Sequence, residues 1–181
     1  LTPDMRHLHY FLWAKVFKRE IIENIQLSAD ERVSMGEDVN CVIPAYCNAE
    51  SVYISDETVY ACRCRNDSMS RSYKPSHFND ISLGVAALKK VQNAPDGYEK
   101  AVDRYAAFMF FVIFATAVSD GDKSVRDYAK KIYGDFEKAL KNAEFSGITT
   151  KSKTALSLLK KKKFNFAYAF LRICEKLKGR R

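Results

Sequence analysis

The feature that most constrains the fold is an almost wholly apolar run from Tyr105 to Val118. A membrane-spanning helix needs about 20 apolar residues, so this shorter run predicts the central helix of a bundle. Apolar residues recur at helical spacing on both sides of it. The predicted helices cover residues 76–93, 98–119, 122–144 and 151–178, the last of them broken near Phe164. The chain from residue 74 to residue 181 is therefore predicted to be a helical bundle.

A different kind of sequence precedes residue 74. An aromatic and basic segment, Trp13 to Glu20, leads into an amphipathic helix. Gly36-Glu37-Asp38 then precedes a run of apolar residues, and acids in a first turn are favoured by the helix dipole and the unpaired N–H groups. By itself this pattern indicates the start of a buried helix. Pro44 is expected to kink or restart that helix, because proline lacks the N–H of the helical hydrogen bond.

Two stretches after this helix favour strands. Residues 51–54 and 57–65 are rich in Val, Tyr, Ile and Thr, with a turn signal between them. Alternation along the second strand would place Arg63 and Arg65 on one face. The loop that contains Ser68 follows, and its hydroxyl and amide groups suit phosphate oxygens. The end of this strand is thus a candidate anion site.

Composition narrows the classes of partner. The formal charge of +8 and the pI of about 9.2 favour anionic partners such as nucleotide diphosphates, nucleic acids or acidic lipids. Nucleic acid is not expected, because the basic residues are dispersed except at the C-terminus and no nucleic-acid motif occurs. Five cysteines without a paired C-x-x-C spacing fit a reducing cytoplasm.

The order of the motifs resembles the distal half of the catalytic domain in family 2 glycosyltransferases, which have the GT-A fold. The resemblance covers about residues 10–73. It is carried by Trp13-x-Lys15-x-Phe17-Lys18-Arg19-Glu20, Gly36-Glu37-Asp38, Tyr60-x-x-Arg63 and Ser68-Met69-Ser70. It implies an incomplete GT-A α/β piece with two short strands in residues 1–73. With the helical C-terminal domain that periodicity predicts in residues 74–181, the expected fold class is α+β and mainly helical.

The resemblance also implies a reaction and a set of site residues. Asp38 corresponds to the general base of an inverting sugar transfer, and Glu37 would bind sugar or acceptor or orient that base. The remaining implied residues, which would bind substrate or its diphosphate, are Arg63, Arg65, Ser68, Trp13 and Lys15. The expected partners are a nucleotide-sugar donor and a polysaccharide or lipid-linked glycan acceptor.

The resemblance leaves the donor side incomplete. The family binds its nucleotide and its Mg²⁺ or Mn²⁺ through an upstream half with an Asp-x-Asp, and the residues before Gly36 are too few to supply that half. Asp120-Gly121-Asp122 has the same letters but is expected to be a turn between helices. No metal ligand is therefore assigned to this chain, and the chain alone is expected to be inactive.

The C-terminal segment suggests a membrane surface. Lys160 to Lys163 precede an aromatic helix, a pattern typical of interfacial helices, and contact of this kind requires these lysines to be exposed on one side. Peripheral contact with the inner membrane face is the expectation, with a docked terminal helix as the alternative. If Phe166, Phe170, Ile173 and Leu177 pack on the bundle, only the lysines remain for contact. A non-enzymatic basic helical module that binds a membrane or a protein partner is the alternative function.

Overall fold

In a computed structural model of the chain, the described residues are 11–27, 30–55, 57, 60–61, 72–144 and 148–178. These residues contain seven α-helices. The helices are α1 Arg19–Leu27, α2 Glu37–Asn48, α3 Ser76–Leu88, α4 Tyr98–Ser119, α5 Val125–Asn142, α6 Thr150–Lys160 and α7 Phe164–Lys178.

The predicted α/β piece is wrong, because the residues that the structure describes contain helices and loops and no strand or sheet. Residues 51–54 are non-helical and lie exposed, with Tyr53 at 90% and Ile54 at 73% exposure. A strand is stabilised by pairing and by a face packed against other side chains, and this stretch has neither. Of residues 57–65, only 57, 60 and 61 are described, and they too lie outside any strand.

The bundle is built around α4, as predicted from its apolar run. This helix contacts α3, α5, α6 and α7, because it carries apolar side chains around most of its circumference. By length and composition α4 is also the one helix in the described part of the chain that could cross a membrane. Just over half of its most apolar window, 56%, is buried inside the protein. Its observed role is that of a core helix.

Aromatic rings fill the centre of this bundle. The Phe110 ring of α4 lies 5.1 Å from the Phe78 ring of α3 and 5.1 Å from the Phe136 ring of α5, between centroids. Tyr133 approaches the same ring edge-on at 6.3 Å. All four side chains are buried, and such pairs stabilise a core beyond the apolar area they remove from water.

The helix boundaries follow local turn chemistry. The predicted break near Phe164 is confirmed: α6 ends at Lys160, and Lys162 adopts a left-handed φ of 57° before α7 begins. α5 begins at Val125 and not at residue 122, because the Asp122 side chain accepts a hydrogen bond from the Ser124 N–H in the preceding turn. α3 ends at Leu88, five residues before its predicted end.

The first two helices pack beside the bundle. α1 contacts α2, and α2 contacts α3. α2 passes through Pro44 as one helix, so of the two effects predicted for this proline the restart does not occur. Its buried residues, Val39, Cys41, Val42 and Ala45, hold both halves of the helix in place. The division into domains at residue 73 stays a prediction.

Candidate functional site

The loop before α2 is fixed to the bundle through Asp80 of α3. The Asp80 carboxylate accepts hydrogen bonds from the Ser34 hydroxyl at 2.8 Å and from the Ser34 backbone N–H at 3.3 Å. Asp80 is only 5% exposed, so its charge is removed from most of the solvent and its hydrogen bonds are strengthened. These bonds set the position from which the chain enters α2.

Gly36 forms the last step of that loop. Its φ of 87° lies in the left-handed region, which glycine adopts without the clash of a Cβ. A Cβ at this position would also lie 2.9 Å from the Tyr105 hydroxyl and 3.0 Å from the Ile81 Cδ1. Glycine is therefore required here both for the turn and for the close approach to α3 and α4.

Glu37 and Asp38 form the first turn of α2, and the predicted helix start is confirmed. Glu37 is exposed and Asp38 is half-buried, so both carboxylates occupy a helix start that solvent reaches. Gly36 caps the helix without a side chain, which leaves the first-turn N–H groups and the helix dipole to favour these two anions.

Cys41 lies one turn further along α2 and is buried. Burial, with the negative charges of Asp38 and Glu37, raises the pKa of its thiol. A thiol held protonated in this way is a poor nucleophile. The chemistry available at this helix start is therefore that of the carboxylates and not that of the cysteine.

The structure brings Lys15 towards the acidic pair. Burial lowers the pKa of Lys15, and the opposing attraction of the Asp38 carboxylate raises it, which places the two charges within electrostatic reach of each other. Trp13 lies in the turn just before Lys15 and stacks between two rings, Phe11 at 5.0 Å and Tyr60 at 4.9 Å. An aromatic stack and a half-buried lysine thus lie along the same short segment.

The other predicted site residues, Arg63, Arg65 and Ser68, lie outside the described residues. Their approach to Asp38 therefore stays a prediction.

The described part of the chain offers no cluster of metal ligands. Among the described residues, no group of three or more His, Cys, Asp or Glu side chains could hold an ion. Both carboxylates of the Asp120-Gly121-Asp122 sequence accept hydrogen bonds from backbone N–H groups, Asp120 from Tyr73 and Asp122 from Ser124. That sequence is a turn, as predicted.

Two residues that border the loop before the acidic pair, Asp80 and Tyr105, were not among the predicted site residues. A signal for Asp80 was available, since it is an acid on the apolar stripe of α3 that also includes Ile81 and Leu88. Tyr105 carried no comparable signal, because an aromatic residue on a core helix has an ordinary packing role.

Comparison with known proteins found a similarity that covers part of the chain. This part is similar to a glycosyltransferase. That relative is the uncharacterized glycosyltransferase EpsJ of Bacillus subtilis (strain 168), 29% identical over 82 residues. The match covers 42% of this chain and 24% of the relative, so it spans about a quarter of that protein's length. No protein-family model matches the chain. No solved structure matches it either.

Proposed function

We propose that this chain is the acceptor-side part of an inverting, nucleotide-sugar-dependent glycosyltransferase of the family 2 type, with Asp38 as the general base. The observation that carries the proposal is the acidic pair at the solvent-accessible start of α2, with Lys15 within electrostatic reach of Asp38. The similarity to a glycosyltransferase supports the same reaction class. The proposal does not depend on the GT-A strands, which the structure overturns.

The proposed reaction needs a base for one proton. An acceptor hydroxyl attacks the anomeric carbon of the donor sugar, the bond from that carbon to the diphosphate breaks, and the hydroxyl proton passes to the Asp38 carboxylate. Glu37, one residue earlier and exposed, would bind the sugar or the acceptor. Lys15 would hold the Asp38 carboxylate in position through its charge.

The donor side of the proposed reaction involves residues that the structure does not describe. Arg63, Arg65 and Ser68 would neutralise the charge that grows on the leaving diphosphate. Mg²⁺ or Mn²⁺ would bind together with the nucleotide-sugar on residues outside this chain. The glycan acceptor, polysaccharide or lipid-linked, would be met in the cytoplasm or at the inner membrane face.

The test is an exchange of Asp38 in the full-length protein that contains this chain. Release of nucleoside diphosphate from a panel of uridine and guanosine diphosphate sugars is measured with the wild type and with Asp38→Asn. We expect turnover to fall by about a hundred-fold or more, the usual scale for a positioned base. Glu37→Gln, which alters the neighbouring acid, should lose less.

The control is Asp96→Asn, which removes an exposed acid from the turn between α3 and α4. Helix content and the melting temperature are followed by circular dichroism, so that a loss of fold is separated from a loss of chemistry. Turnover of Asp38→Asn close to that of Asp96→Asn would remove Asp38 from the mechanism.

A second candidate function is that of a non-enzymatic module for a membrane surface or a protein partner. Exposed apolar residues on α7 favour it. Under this function alone, the full-length protein would turn over none of the sugar nucleotides.

A further inference from the structure

The outward face of α7 carries an apolar stripe. The inward face packs Phe164, Ala167 and Leu171 into the bundle, where each is at most 3% exposed. On the opposite side, Phe166 is 67% exposed, Ile173 is 58% exposed and Leu177 is 59% exposed. The spacings of seven and four residues align these three side chains along the helix over about 16 Å. We refer to Phe166, Ile173 and Leu177 as the α7 stripe.

The alternative in which all four apolar residues of α7 pack on the bundle does not hold, because three of them are exposed. Only Phe170, which is half-buried, packs against the core. The surface of a soluble protein carries single exposed apolar residues as a matter of course. Three large ones in line on one helix are the pattern of a helix that presents a second face to a partner.

The charges beside the α7 stripe are positive. The Lys163 ammonium lies 5.9 Å from the centre of the Phe166 ring. Lys176 is exposed and is next to Leu177 in the sequence. The acid within α7, Glu175, forms an ion pair with Lys151 of α6 and so turns towards the bundle. The stripe thus combines apolar side chains with cations, and the acid of the helix points away from it.

Two of the four lysines from Lys160 to Lys163 form a hydrogen bond or an ion pair with the protein itself. Lys160 is half-buried and donates a hydrogen bond to the Ala143 carbonyl at 2.6 Å, so the expectation that all four lysines are exposed on one side is wrong for it. Lys162 is exposed but forms an ion pair with Glu137 at 3.1 Å and lies over the Tyr133 ring. Lys161 and Lys163 are exposed without such an ion pair.

We propose that the α7 stripe docks on the surface of an acidic lipid bilayer. Phe166, Ile173 and Leu177 would enter the boundary between headgroups and acyl chains, while Lys163 and Lys176 would contact lipid phosphates. Helices that lie in the plane of a membrane bind in this way, with an apolar face in the bilayer and basic residues at the headgroups. The charge pattern selects this occupant over a second copy of the same face, which would bring the cations of both copies together.

The proposal is independent of the glycosyltransferase function, since it uses none of the residues near Asp38. A first measurement is cosedimentation of the full 181-residue chain with vesicles of phosphatidylcholine alone or with 30% phosphatidylglycerol. We expect binding to the acidic vesicles to be at least ten-fold tighter. In Lys163→Gln/Lys176→Gln it should weaken by about thirty-fold at low salt, since each cation near an acidic surface adds about a factor of five.

The decisive variant removes the apolar side chains. Phe166→Ser/Ile173→Ser/Leu177→Ser should bind acidic vesicles at least ten-fold more weakly than the wild type, including at 0.5 M salt where surface charge is screened. The matched control, Leu83→Ser/Phe108→Ser, removes two other exposed apolar side chains, 40% and 41% exposed, from α3 and α4. The control should bind like the wild type.

Three outcomes would overturn the proposal. The first is equal binding of the α7 stripe variant and its control. The second is no preference of the wild type for acidic vesicles. The third is a concentration-dependent dimer, seen by light scattering, that the stripe variant abolishes, because this would assign the face to a second copy. Circular dichroism checks that the variants keep their helices. Lys163→Gln/Lys176→Gln gives a second test that leaves the apolar face intact.

Discussion

The bundle and the region before it are held by different means. In α3, α4 and α5, aromatic rings from three helices meet around Phe110 at centroid distances near 5 Å. The described residues before residue 50 contribute a short set of buried apolar side chains: Val33, Val39, Cys41, Val42 and Ala45. That region depends instead on specific contacts, such as those of Asp80 and Gly36 with their neighbours. A candidate active site therefore lies on a thinly buried segment attached to a well-packed support.

This difference has an energetic meaning. Regions with few buried apolar contacts open at lower free energy than the global unfolding of a core. Residues 52–54, all exposed apolar side chains, show how little of the first region is covered. We expect the segment around Glu37 and Asp38 to open before the bundle does. Three further measurements test how each of the two regions is held.

The largest effect is expected from the centre of the bundle. Phe110→Ala should lower the free energy of unfolding by about 3–5 kcal/mol, because it removes a fully buried ring and leaves a cavity. Phe108→Ala, on the exposed side of the same helix, is the matched control and should cost about 1 kcal/mol or less. Urea unfolding followed by circular dichroism gives both values. Equal losses would show that the ring cluster does not dominate stability.

A smaller effect is expected where the loop meets the bundle. Gly36→Ala should cost about 2–3 kcal/mol, because a left-handed residue with a Cβ costs about 1–2 kcal/mol and the Cβ must also displace the Tyr105 hydroxyl. Gly97 also precedes a helix with a left-handed φ, of 80°, but a Cβ there meets no atom within 4 Å. Gly97→Ala should therefore cost only the backbone strain.

The difference between Gly36→Ala and Gly97→Ala gives the free-energy cost of the contact with the bundle, because both variants share the backbone strain. Thermal unfolding of both variants is also measured in a Tyr105→Phe background, which removes the hydroxyl. Part of the extra cost of Gly36→Ala should disappear there, while Gly97→Ala should be unaffected. If both variants cost the same in the wild-type background, the close approach of the loop to α4 does not contribute to stability.

The smallest effect concerns His77, which is buried beside Asp80. Burial lowers its pKa below 6.5, the nearby Lys74 lowers it further, and the charge of Asp80 opposes both. The unfolded chain therefore binds a proton more readily than the folded protein does, so stability is full above pH 6.5 and falls as the pH drops below it. His77→Gln should flatten this part of the stability curve between pH 7.5 and 5.5. An unchanged slope would exclude His77 as its source.

The helices of the bundle could be predicted from the sequence because periodicity and burial agree there. The apolar residues of α4 and α5 recur at helical spacing and do enter a core, so the pattern reports the structure. The early end of α3 and the late start of α5 depend on turn chemistry, such as the hydrogen bond to Asp122, which periodicity does not register.

The prediction of two strands was wrong for the opposite reason. Val52, Tyr53 and Ile54 have high strand propensity, but that propensity reflects packing on a sheet, and the described residues provide no sheet for them to join. The acidic pair at a helix start could be predicted, since dipole and spacing are local properties. The hydrogen bonds to Asp80 and the close approach of Gly36 to Tyr105 could not, because both cross long stretches of sequence that a linear pattern does not relate.

The stack of Phe11, Trp13 and Tyr60 gives this protein an optical property. Trp13 is the only tryptophan in the chain, so intrinsic fluorescence excited at the red edge of absorption reports on the region beside the acidic pair and not on the bundle. Far-ultraviolet dichroism reports mainly on α3 to α7, which hold most of the helical residues. The two regions thus have separate spectroscopic signals. A change in Trp13 emission that precedes the loss of helical dichroism would show that the first region unfolds before the bundle.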